Sequence, residues 1–99
     1  METVLIVEDE VTTRDALIKL LGKDGRKIVT ARDGQEAMER LAKVPRPRVI
    51  LLDLMMPRMN GWEFLQRKSA DPSIADIPTI VLSGSGRRAG TMHQLAKPG

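Results

Sequence analysis

Val49-Ile50-Leu51-Leu52-Asp53-Leu54-Met55-Met56-Pro57-Arg58-Met59-Asn60-Gly61 is the stretch whose reading decides the fold. Its four leading apolar residues, two of them β-branched, read as a strand buried on both faces. The run stops at a carboxylate just before Pro57 and the turn pair Asn60-Gly61. Asp53 therefore stands at the carboxyl end of a strand. In open parallel α/β sheets, ligands bind in the crevice beyond those ends, so the address is a functional hint. The plainer reading is a helix cap or a turn aspartate, the usual work of a loop carboxylate.

The plainer reading loses ground at the first strand. Thr3-Val4-Leu5-Ile6-Val7 is a second buried-type run, and it too ends in acids, Glu8-Asp9-Glu10, before a helical pattern begins. Adjacent strands of this kind discharge three carboxylates into one crevice. Like charges gathered there raise one another's pKa unless a cation intervenes, and an all-oxygen cluster selects a hard divalent ion such as Mg²⁺.

These residues resemble a known family, the receiver domain of bacterial two-component response regulators. The matching pieces are Val7-Glu8-Asp9-Glu10, Asp53 to Gly61, Ile77-Pro78-Thr79-Ile80-Val81-Leu82-Ser83 and Lys97-Pro98, with Ser83 thirty residues after Asp53. The resemblance runs from Thr3 to Pro98 and implies that Asp53 accepts a phosphoryl group. It also implies that Glu8, Asp9, Asp53 and the Met55 backbone carbonyl hold Mg²⁺, and that Ser83 and Lys97 contact the phosphoryl oxygens. The donor would be a phosphohistidine on a sensor histidine kinase or a histidine phosphotransfer protein. In that role the chain is a phosphoacceptor in signalling rather than an enzyme.

Length and composition agree with one small domain spanning 1–99. Apolar content is ordinary at 41%, and with only Trp62 and Phe64 as aromatics the core must be built from Leu, Ile, Val and Met. The net charge of +3 is carried by scattered basic residues with no stripe or recognition helix, so no nucleic-acid partner is expected. Cysteine is absent, which excludes disulfides and thiolate metal sites. Met1-Glu2-Thr3 leads straight into a strand, and no apolar run approaches a membrane span, so the expected location is cytoplasmic, with no membrane partner.

Along the chain, Val11 to Leu21 is an amphipathic helix with Leu17, Leu20 and Leu21 as its apolar positions, ending at Gly22. Lys27 to Ala31 is a short strand, and Gly34 opens a helix with Ala37, Met38 and Leu41 inward, closed by Pro45 and Pro47. Trp62 to Arg67 reads as a third helix broken at Asp71-Pro72, and Thr79 to Leu82 as the fourth strand. Alternating strands and helices give a parallel α/β sheet with right-handed crossovers. The resemblance implies a flavodoxin-like, doubly wound sheet of strand order 2-1-3-4-5.

The C-terminal part departs from the family. Gly84 to Ala89 offers only six residues for the fourth helix, a fifth strand is expected around Gln94-Leu95-Ala96, and no fifth helix follows before Gly99, so the domain reads as truncated. Apolar strand surface left without that cover predicts a homodimer. Met55, Met56 and Met59 suit core filling better than a binding surface, and His93 has no partner at metal or base spacing. The competing reading of the whole chain is a non-phosphorylated interaction module or a receiver fragment without output. A metal-dependent phosphatase would need a second acid two residues after Asp53, where Met55 stands.

Overall fold

Burial on both faces makes the strands. The computed structural model describes residues 2–43, 45–54 and 60–82. In it the short apolar runs form β1 (Thr3–Val7), β2 (Lys27–Ala31), β3 (Val49–Asp53) and β4 (Thr79–Leu82). All pair in parallel in the order β2-β1-β3-β4. The central strands β1 and β3 are buried almost throughout, as continuous apolar runs with no polar alternation require. This is the flavodoxin-like 2-1-3-4 arrangement; the fifth strand expected around Gln94-Leu95-Ala96 and the segment Gly84 to Ala89 lie outside the described residues.

The sheet is covered on both faces. Leu5, Val7, Ile50, Leu52 and Val81 point to the face holding α2 (Gly34–Lys43) and α3 (Gly61–Ala70), where they pack with Ala37, Phe64, Ile74 and Ile77. Val4, Ile6 and Leu51 point to the other face and meet Leu17, Ile18 and Leu21 of α1 (Val11–Leu21). The alternation follows from the two-residue period of a strand. Among the described residues fourteen hydrophobic side chains are buried, and the larger cluster lies on the α2 and α3 face.

The inward stripe of α1 differs from the sequence expectation at one position. Leu17, Ile18 and Leu21 face the sheet, while Leu20 is 62% exposed. Positions 17 and 21 are one helical turn apart and fix the stripe, but 18 and 20 flank it on opposite sides, and the sheet takes 18. The α-helix ends at Leu21 with Gly22 as its C-cap, where the sequence places its end. Gly22 keeps right-handed angles and begins a 3₁₀ turn (Gly22–Asp24), and it is Gly25, at φ 80°, that takes the left-handed conformation ending that turn.

The other helices begin on side-chain caps. Asp33 accepts from the Glu36 amide at 2.8 Å, while the Glu36 carboxylate accepts from the Arg32 amide at 2.7 Å. Asn60, read from sequence as part of a turn pair, is the N-cap of α3: it accepts from the Glu63 amide at 3.0 Å, and Glu63 accepts from the Asn60 amide at 3.3 Å. At the far end of α3, the buried Lys68 donates to the Ala75 carbonyl at 2.8 Å, and Arg46 bridges Asp76 and the Ser73 carbonyl. The edge strand β2 has a guard of its own, since Arg40 of α2 donates to the Thr30 carbonyl at 3.2 Å.

Candidate functional site

Strand register assembles the site. Val7 of β1 is paired with Leu52 of β3, so the residues that follow them, Glu8 and Asp53, leave the sheet side by side at its carboxyl edge. Asp53 is itself the last residue of β3 and pairs with Leu82 of β4. Glu8 is held by its amide, which donates to the Ala31 carbonyl on the opposite neighbour at 2.9 Å. Both acids are buried, at 5% and 6% exposure, while Asp9 is exposed.

Glu8, Asp9 and Asp53 each place a carboxylate oxygen within 4.8 Å of the other two. Water is scarce around Glu8, and its carboxyl is pushed up to about 7 by burial, reinforced by the charge and hydrogen bond of Asp53 and the charge of Asp9, against the Glu10 amide that favours the carboxylate. Three carboxylates so close, two of them buried, form a donor set of hard oxygens. Those donors fit a hard divalent cation.

Glu10 does something different from its two acidic neighbours. Its carboxylate turns away from the cluster and caps α1, accepting from the Thr13 amide at 2.7 Å and the Thr13 hydroxyl at 2.9 Å. Those bonds draw its own carboxyl below the usual range. Its amide, in turn, donates to Glu8 Oε2 at 3.1 Å. Arg14, one turn on, donates from Nη1 to the Glu8 carbonyl at 3.3 Å. Neither tie is legible in the linear sequence, because Glu is not among the side chains preferred at a helix N-cap.

On the β3 side, the backbone of Leu54 is pinned by donation to the Leu82 carbonyl at 3.3 Å and by acceptance from the Gly61 amide at 3.0 Å. Trp62, next to Gly61, stands 48% exposed. Of the residues expected at the site, Glu8, Asp9 and Asp53 are brought together; Met55, Ser83 and Lys97 lie outside the described residues.

The comparisons agree with this geometry. The family model for the response regulator receiver domain matches residues 4–99. The chain belongs to the response regulator receiver domain family. Response regulator RR06 of Streptococcus pneumoniae serotype 2 is 37% identical over 84% of this chain, which spans 36% of that protein. The receiver domain described here thus covers about a third of the length of that curated relative. Among solved structures, the N-terminal domain of a response regulator receiver protein from Methanoculleus marisnigri JR1 superposes with a TM-score of 0.83 at 32% identity, over 99% of this chain and 80% of that one. The Mn²⁺-bound form of response regulator Rcp1 superposes with a TM-score of 0.80 at 28% identity, over 96% and 74% of the two chains. Receiver domains are the signal-receiving parts of two-component systems, and among the described residues no helix is long and apolar enough to cross a membrane.

Proposed function

We propose that this receiver domain takes a phosphoryl group onto Asp53 from the phosphohistidine of a sensor histidine kinase or a histidine phosphotransfer protein, with Mg²⁺ as its cofactor. The observation that carries the reading is the convergence of Glu8, Asp9 and Asp53 at the carboxyl ends of two neighbouring strands, within 4.8 Å of one another. Glu8, Asp9, Asp53 and the Met55 backbone carbonyl are the ligands proposed for the ion; when bound, it neutralises the acids and the incoming phosphoryl oxygens. The Mn²⁺-bound form of response regulator Rcp1 supports a divalent ion as cofactor.

Asp53 suits the acceptor role because its pairing with Leu82 of β4 fixes its backbone at the strand end, while Glu8 and Asp9 lie close to its carboxylate. In the transfer, a carboxylate oxygen of Asp53 forms a bond to phosphorus as the bond from phosphorus to the donor imidazole breaks. The chain's contribution is position and charge rather than covalent elaboration. Ser83 and Lys97 are proposed as the groups that meet the transferred phosphoryl oxygens. The same proposal places the chain in the cytoplasm, as a single receiver unit over residues 1–99, and takes self-association through the face that bears Ile80, 40% exposed, as its oligomeric form.

Incubation with Mg²⁺ and acetyl phosphate, followed by intact mass, tests the acceptor role. One added phosphoryl group is expected; none, with the fold intact and Mg²⁺ bound, favours the interaction-module reading instead.

A further inference from the structure

Glu10 is an unusual helix cap, since Ser, Thr, Asp and Asn are the side chains preferred there. Its longer carboxylate nonetheless reaches both the amide and the hydroxyl of Thr13, at 2.7 and 2.9 Å. The cap sets Glu10 in an extended conformation, φ −84° and ψ 118°. In that conformation its amide points back at Glu8 Oε2, 3.1 Å away. The first turn of α1 closes the arrangement from the other side. The Arg14 amide donates to the Glu10 carbonyl at 2.9 Å, and its guanidinium to the Glu8 carbonyl at 3.3 Å. The segment from Glu8 to Glu10 is therefore tied to the helix by four hydrogen bonds, and a further bond within the segment, from the Glu10 amide, ends on the Glu8 carboxylate.

We infer that Glu10 is a positioning residue for the metal pocket: by capping α1 it aims its own amide at the Glu8 carboxylate and so fixes the orientation in which Glu8 faces Asp9 and Asp53. Glu10 is exposed and has no ligand role of its own; it acts through Glu8. The inference rests on the proposed Mg²⁺ site and names a determinant of that site's affinity which lies in the helix cap. Groups that orient a metal ligand typically change metal affinity 10–100-fold when removed, and the low end of that range suits an exposed cap.

Charge and position make different demands on the same side chain. A carboxylate near the pocket attracts a cation whether or not it caps the helix, whereas a cap works whether or not it is charged. Asn is among the strongest caps and is neutral, so it separates the two.

Mg²⁺ titrations of the wild-type chain and of Glu10→Ala, Glu10→Asn and Thr13→Val, followed by calorimetry with circular dichroism confirming the fold, make the test. Glu10→Ala is expected to bind Mg²⁺ about tenfold more weakly, and Glu10→Asn within about twofold of wild type. Thr13→Val leaves every charge in place, removes one of the two bonds to the cap, and is expected to lose part of that affinity. It carries the test if Glu10→Ala does not fold. Wild-type affinity in Glu10→Ala, or in Thr13→Val where it stands alone, overturns the inference, as does an equal loss in Glu10→Asn and Glu10→Ala, which would assign the effect to charge. An absence of Mg²⁺ binding by the wild-type chain overturns the site itself along with it.

Discussion

The Gly61 amide donates to the Leu54 carbonyl at 3.0 Å, and the two residues lie so close that a Cβ on Gly61 would fall 2.5 Å from the Leu54 Cα. It would also come within 2.9 Å of the Asp53 carbonyl oxygen. The start of α3 is thereby pressed against the end of β3, one residue beyond Asp53.

Gly61→Ala should therefore destabilise the domain by about 3 kcal/mol, the upper end of what overpacking costs, because the Leu54 Cα and the Asp53 carbonyl oxygen are backbone atoms that cannot swing aside. Urea unfolding checks it: the midpoint should fall with little change in slope. An unchanged midpoint would mean that α3 is not held this tightly to β3.

The ionisation of Glu8 gives a pH dependence with a definite sign. Its folded-state pKa, pushed up to about 7, lies above its unfolded value, so its contribution to stability is fully present below about pH 4.5 and is lost as pH rises through about 7. Above that, Glu8 is charged and ready for a cation; below it, a proton must leave before a cation can bind. The rise in melting temperature produced by a fixed Mg²⁺ concentration should thus be larger at about pH 8 than at about pH 5.5. Thermal scans in matched buffers measure it, and a larger rise at the lower pH would contradict the assignment of Glu8 to the site.

Lys68 is the one basic side chain among the described residues that is buried, at 2% exposure, and its ammonium is held below its ordinary pKa by burial, with Asp76 opposing and Arg46 adding to the effect. Its hydrogen bond to the Ala75 carbonyl keeps the turn before β4 on α3, and Lys68 and Phe64, one helical turn apart, are both buried, so its methylene stem contributes to packing. Lys68→Met, which keeps the stem, should change stability by less than about 1 kcal/mol, and Lys68→Ala should cost about 2 kcal/mol. Equal losses in the two variants, measured by urea unfolding, would show that the ammonium rather than the stem matters.

Most of the fold was legible because the strands are buried on both faces and so announce themselves as unbroken apolar runs. Val49 to Asp53 and Thr3 to Val7 begin and end in the structure where the residue pattern places them. The acid pocket was legible for the same reason: a charged residue at the end of such a run has only the sheet's edge to occupy. What the pattern did not resolve depends on direction in space. Leu20 and Ile18 satisfy the helical period about equally, and only the sheet beneath chooses between them. Glu10 sits in an acidic run, yet the extended angles of its backbone send its side chain to Thr13 and only its amide to Glu8. Gly61 looked like a turn glycine, but its need is for closeness to Leu54, since the one positive φ among the described residues belongs to Gly25. Met55, Ser83 and Lys97 rest on the family resemblance alone.

Phosphorylation of Asp53 is tested most directly by comparing the wild-type chain with Asp53→Asn after incubation with Mg²⁺ and acetyl phosphate, reading intact mass and then mapping the modified peptide. The amide keeps the shape of the side chain but lacks the nucleophilic carboxylate. The wild-type chain should gain one phosphoryl group on the peptide containing Asp53, and Asp53→Asn, with an unchanged circular dichroism spectrum, should gain none. Undiminished labelling of Asp53→Asn would contradict the account.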